Sequence, residues 1–177
     1  VAIDEDMALV SAPAANDGAG AVAVFTKGED GTWEEVQQLN MPAAASGQAF
    51  GASLFLHHGH VMGGAPGYES RVGAVGVFHW NEDTNLFDYS LRLSPAVASG
   101  GESFGSSLVH DADHVSWVGA PGANAREGMV YAYKPSNMMK AFAAQGVVSV
   151  EGLQIRSSFG NAMTAGDDFV AVGASGY

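Results

Sequence analysis

The sequence predicts an all-β fold, a β-propeller of four-stranded antiparallel blades of which about 3.3 are present. Three observations predict it. An internal repeat recurs every 53 to 55 residues, each repeat holds four short apolar segments, and turn residues separate those segments.

The repeat is clearest in two signatures. Gly64-Ala65-Pro66 recurs as Gly119-Ala120-Pro121, and in weaker form as Ser11-Ala12-Pro13 and Gly173-Ala174-Ser175. Phe50-Gly51 recurs as Phe104-Gly105 and Phe159-Gly160, always 14 or 15 residues ahead of the Gly-Ala pair. Further columns keep the same register. Gly20, Gly73 and Gly128 open apolar stretches that end on Phe25, Phe78 and Tyr133. Trp33, Phe87 and Phe142 form another column, followed six residues later by Leu39, Leu93 and Val148. The next Phe-Gly pair starts 11 residues on, every time. The units are blade A, 1–47; blade B, 48–101; blade C, 102–156; and a half blade D, 157–177.

Within the second unit the apolar segments run roughly Phe50–Leu56, Val61–Gly64, Gly73–Trp80 and Phe87–Leu93. They are strand-sized and too short for helices. His58-Gly59, Pro66-Gly67 and the polar stretch Asn81–Asn85 are turn material. The interval Pro135–Gln145 has a helix-like composition, but the aromatic column assigns it to a distorted fourth strand. Stacked blades bury both faces of their inner strands, which blurs alternation. Small residues in the Gly-Ala-Pro signature would let strands approach near the axis, and Trp33, Phe87 and Phe142 would fill the wider outer space. In this register Val1 matches Leu54, inside a first strand, and Tyr177 matches Tyr68, in a loop after a second strand. The expectation is a partial propeller, either a fragment or one completed by another polypeptide, because open sheet edges are normally covered.

Composition narrows the function classes. The chain has 177 residues, 47% of them apolar, with 19 acidic against 7 basic side chains and a net charge of −12. Such a surface repels phosphate backbones and anionic lipid, so neither nucleic acid nor direct membrane insertion is expected; calcium and basic surfaces suit it better. No apolar run approaches a membrane span, and the absence of cysteine excludes a disulfide framework.

The paired signatures resemble the FG-GAP repeat, named for its Phe-Gly and Gly-Ala-Pro motifs, whose members include the seven-bladed propellers of integrin α subunits. The resemblance implies a complete propeller of seven blades. It also implies a non-catalytic extracellular or cell-surface module for adhesion that binds a protein or glycan ligand. Two alternatives stand beside this: a structural component of a larger assembly, with a neighbouring subunit completing the propeller, or the accessory propeller of an enzyme. In integrin-like propellers the ligand docks on the loops joining strands 2–3 and 4–1. Here the 2–3 loops are Ala14–Gly18, Gly67–Val72 and Gly122–Glu127, and Tyr68, Glu69, Arg71, Asn124, Arg126 and Glu127 are the candidate ligand-binding residues. An aromatic beside arginine suits a recognition hot spot. The plainer reading pairs Arg71 with Glu69 and Arg126 with Glu127.

No cofactor is expected. Integrin-type blades often carry an Asp-rich calcium loop between their first two strands, whereas the same interval here holds short hairpins. Asp111 and Asp113 are its nearest approach to a metal site. His57, His58 and His60 on a two-stranded turn point in alternating directions and read as a surface turn. Ser106, Ser107, His110 and Asp111 lack a nucleophile-elbow pattern, so no catalytic residue is expected.

Overall fold

The computed structural model describes residues 1–96, 100–136 and 141–176. It is all-β, with four antiparallel sheets following one another along the chain and no closed barrel. The first sheet holds β1 (Ala2–Asp4), β2 (Met7–Ala12), β3 (Ala21–Lys27) and β4 (Trp33–Leu39). The second holds β5 (Leu54–His57), β6 (His60–Ala65), β7 (Ala74–Asn81) and β8 (Leu86–Leu93). The third holds β9 (Ser107–His110), β10 (Ser116–Ala120), β11 (Met129–Pro135) and β12 (Phe142–Val148). The fourth is the pair β13 (Phe159–Ala165) and β14 (Val170–Ala174). Each sheet runs in sequence order, so every connection joins neighbours.

Local chemistry explains the connections. His57 pairs with His60 across a two-residue turn, and His58 and Gly59 both have positive φ, the geometry whose twist matches flanking strands. Of the interval Pro135–Gln145, Pro135 ends β11 and Phe142–Gln145 belong to the fourth strand β12; residues 137–140 lie outside the described ones. A register shift at Ala132/Tyr133 supplies the expected distortion, and the same shift recurs at Val24/Phe25 and Val77/Phe78.

The sheets stack face to face, and β6 and β7 show how. Val61, Ala74 and Phe78 face the first sheet, where they join Leu9, Val22, Val24, Phe50 and Phe87. Met62, Val75 and Val77 alternate to the other side and join Phe104, Val118, Tyr131 and Tyr133. Both faces of the second sheet are therefore core. Side chains also bridge the outer strands, where Gln37 and the backbone of Phe87 exchange hydrogen bonds of 2.8 and 2.7 Å.

The repeat signatures are the joints between sheets. The Phe-Gly segment lies before the first strand in the second and third sheets and opens β13 in the fourth, and it pairs with the preceding sheet through parallel bridges Gly20–Phe50, Gly73–Phe104 and Gly128–Phe159. A Cβ on Gly73 would stand 2.2 Å from the Phe104 carbonyl oxygen. Gly64 of the second signature is closer still: its Cβ would lie 1.9 Å from the Gly105 carbonyl oxygen, which also accepts a 2.7 Å hydrogen bond from Ser53 Oγ. Only glycine fits there.

Gly64→Ala should therefore destabilise the chain by about 3 kcal/mol, through forced separation of two sheets. Gly146→Ala, at an open site on β12, should change stability little. Urea denaturation of both variants checks this, and equal midpoints would refute the packing argument.

Candidate functional site

After β2, β6 and β10 the chain makes the same unusual turn, at Ala15–Gly18, Tyr68–Arg71 and Ala123–Arg126. Three consecutive residues in each turn are left-handed. They are Asn16, Asp17 and Gly18; Glu69, Ser70 and Arg71; and Asn124, Ala125 and Arg126, with φ between 44° and 80°. Non-glycine residues adopt this conformation at a cost of roughly 1 kcal/mol each, so something must hold them. The next sheet does. Ala49 N–H donates to Gly18 O (2.7 Å), Ser103 N–H to Arg71 O (2.8 Å) and Ser158 N–H to Arg126 O (3.0 Å). The following amides, of Phe50, Phe104 and Phe159, donate to Ala19, Val72 and Glu127.

Because the main chain makes the latch, the turn side chains are left for other contacts. Arg71 and Arg126 both line a cavity of about 730 Å³ between the second and third turns. Ser103, Ser106, Ser158 and Asn161, from the segments around Phe104-Gly105 and Phe159-Gly160, form its floor. Arg71 Nη2 reaches Ser103 Oγ at 3.4 Å.

The local pairing of Arg71 with Glu69 and Arg126 with Glu127 is not what forms. Glu69 turns to Arg92 of β8, with 3.6 Å between Oε1 and Nη1, and Glu127 accepts from Asn124 Nδ2. Arg92 also donates to the Tyr68 hydroxyl and lies 4.7 Å from the centre of that ring. Of the six candidates, Arg71, Asn124 and Arg126 thus share one cavity, while Tyr68 and Glu69 are braced by Arg92. Sequence reasoning missed Arg92, which lies 24 residues from Tyr68 in another strand. It also missed the serine floor, although a signal was present. Ser103 and Ser158 stand in the column of Ala49, and Ser106 and Asn161 in that of Ala52.

At the other end of the strands lie the hairpin tips and all six histidines of the chain. Asp111 accepts from Val115 N–H (2.8 Å) and Trp117 Nε1 (2.7 Å), which occupies both of its oxygens in holding the hairpin. Burial opposes ionisation of Asp111, but these hydrogen bonds outweigh it and lower its pKa. Asp113 is exposed beside it. No group of three or more metal-ligating side chains converges among the described residues. His57 lies 3.5 Å from Asp4, and its ring stacks edge-on against His58 with 3.7 Å between centroids. Ser106 and Ser107 do not meet His110: their hydroxyls donate to Ser103 O and Gly160 O, both at 2.7 Å. His110 instead contacts Ser116 Oγ at 3.0 Å, and Ser116 is fully buried.

Comparison with known proteins bears on the fold. No family profile and no curated protein matches the chain. Among solved structures, a 6-phosphogluconolactonase candidate from Bacteroides fragilis superposes with a TM-score of 0.55 at 11% identity. The match covers 76% of this chain and 35% of that one, so the chain spans about a third of that structure's length. The likeness is one of fold, and the neighbour is propeller-like. A Bacteroides fragilis protein of unknown function aligns over 83% of this chain and 95% of its own at 9% identity, with a TM-score of only 0.29.

The histidine end predicts a pH response. Burial pushes His110 down from 6.5 to about 4, with His114 adding to the effect and Asp111 opposing it. The unfolded chain therefore takes up a proton near the ordinary value, while the folded chain stays neutral at this site. The contribution is fully present above pH 6.5 and is lost as pH falls toward 4. Melting temperature should drop across that window, and His110→Gln should make the drop shallower. An unchanged slope would remove His110 as the cause.

Proposed function

We propose that this chain is part of an FG-GAP-type propeller, seven-bladed when complete, that serves as a non-catalytic binding module outside the cell or at its surface. Its ligand, protein or glycan, docks on the face formed by the left-handed turns and the Phe-Gly segments. One observation carries the reading: a rigid main-chain latch holds the turns while Arg71 and Arg126 point into a common cavity of about 730 Å³. That volume lies in the usual range for ligand sites. Functional residues on loops fixed by a scaffold are the common arrangement for recognition. The fold likeness to a lactonase candidate, at 11% identity, carries over no reaction site.

The test is capture on immobilised glycan and protein arrays. The Arg71→Gly/Arg126→Gly double variant should lose at least tenfold in binding, while Asp113→Ala at the hairpin end should bind as the parent does. Equal binding by all three would move the ligand off this face.

A second reading, as part of a larger assembly, has its own support in the outer face of the first sheet. Ile3 is 65% exposed and Trp33 40%, whereas Leu56 and Phe87, in the same columns of the second sheet, are 8% and 3% exposed. Ile3, Ala8, Val10, Phe25 and Trp33 line one apolar hollow there. A neighbouring sheet, from this or another polypeptide, would cover it as the first sheet covers the second. Sedimentation should then show association that Trp33→Asp abolishes; a monomer at high concentration would count against self-association.

A further inference from the structure

We infer that the cavity between the second and third turns is a binding site for a small acidic sugar, a polyhydroxylated ligand carrying one carboxylate or phosphate. The inference rests on the turn face being the recognition face and goes further by naming the ligand's chemistry.

The first argument is an internal comparison. The repeat builds the same corner three times, from the third left-handed residue of a turn and the residues flanking the next Phe-Gly pair. At the first corner these are Gly18, Ala49 and Ala52. At the second they are Arg71, Ser103 and Ser106, and at the third Arg126, Ser158 and Asn161. The first corner holds the latch with a glycine and two alanines, so the latch requires none of the polar side chains. All six polar residues line one cavity.

Backbone conformation gives the second argument. Arg71 and Arg126 have φ of 68° and 71°, and Gly18 has 80°. Glycine is the easy residue in this conformation, and the first turn uses it. Two arginines kept where glycine is easier indicate a use for the side chains.

Charge and shape then select the ligand. Among the described residues neither arginine is in an ion pair, since the nearby carboxylates of Glu69 and Glu127 are engaged by Arg92 and Asn124. Two guanidinium forks suit an oxyanion. Ser106 and Ser158 already donate to backbone carbonyls, which leaves their oxygens as acceptors for ligand hydroxyls. The net charge of −12 disfavours a polyanion, whose successive charges would meet the acidic surface, but a single oxyanion within the cavity is served locally.

The test is calorimetry on the 177-residue chain with D-glucuronate, glucose 6-phosphate, D-glucose, inorganic phosphate and a short aspartyl peptide. Binding of glucuronate or glucose 6-phosphate at least tenfold tighter than glucose is expected, and the tighter of the two identifies the oxyanion. Arg71→Gly should weaken that binding at least tenfold without lowering the melting temperature, because Gly18 shows the turn accepts glycine. Should Arg71→Gly unfold, Arg126→Gln provides the same readout. Glucose binding equal to the acids, phosphate alone matching the sugar phosphate, preference for the peptide, or indifference to both arginine variants would each overturn the inference. If no sugar acid binds yet the double variant still loses array capture, the recognition face stands and only the ligand class fails.

Discussion

Two amides donating to two carbonyls, across a gap that admits no Cβ, set the geometry on which everything else here depends. The carbonyls belong to a left-handed turn, which is itself unfavourable for residues other than glycine. The amides belong to the Phe-Gly segment of the next sheet, and the buried phenylalanine anchors that segment in the core. Neither half would be stable alone, since the turn needs the amides to offset its strain and the Phe-Gly segment needs the carbonyls to satisfy buried donors. Once they meet, the separation and rotation between sheets are fixed, and the apolar faces close at the spacing where their side chains interlock.

This explains which parts of the molecule were legible in the sequence. Phe50, Phe104 and Phe159 and their glycines were visible because the latch demands particular residues at a constant interval. The four strands per unit followed from apolar segments of strand length, and the fourth strand of the third unit from Phe142 alone. The left-handed turns were not legible, because Asn16-Asp17, Glu69-Ser70 and Asn124-Ala125 have no residue common to all three, asparagine recurring only at 16 and 124: the latch uses their backbone. Arg71 and Arg126 stood out only as rare residues in matching places. Their partners were misjudged because Glu69 lies two residues from Arg71 in sequence, while Arg92 reaches the turn from the outer strand β8. The serines at 103 and 158 stand where the first unit boundary has Ala49, and their shared cavity exists only after the sheets are stacked.

The two ends of the strands differ in electrostatic character. The turn end carries Arg71 and Arg126 around a polar hollow, with Arg92 against Tyr68 beside it, within a strongly acidic protein. The hairpin end carries the six histidines, with His60 and His110 held below the ordinary imidazole range chiefly by burial. An anionic group approaching the turn end meets fixed positive charge at any physiological pH.

Each of the two full units, 48–101 and 102–156, contains both halves of the latch, the Phe-Gly segment near its start and the turn after its second strand. A tandem duplication of one unit would therefore yield a copy already compatible with both of its neighbours. Loops at either end would be free to diverge from the first generation, because the joint does not read their side chains. The contrast between the alanine corner and the two arginine corners is what such a history would leave behind, with identical masonry and different tenants.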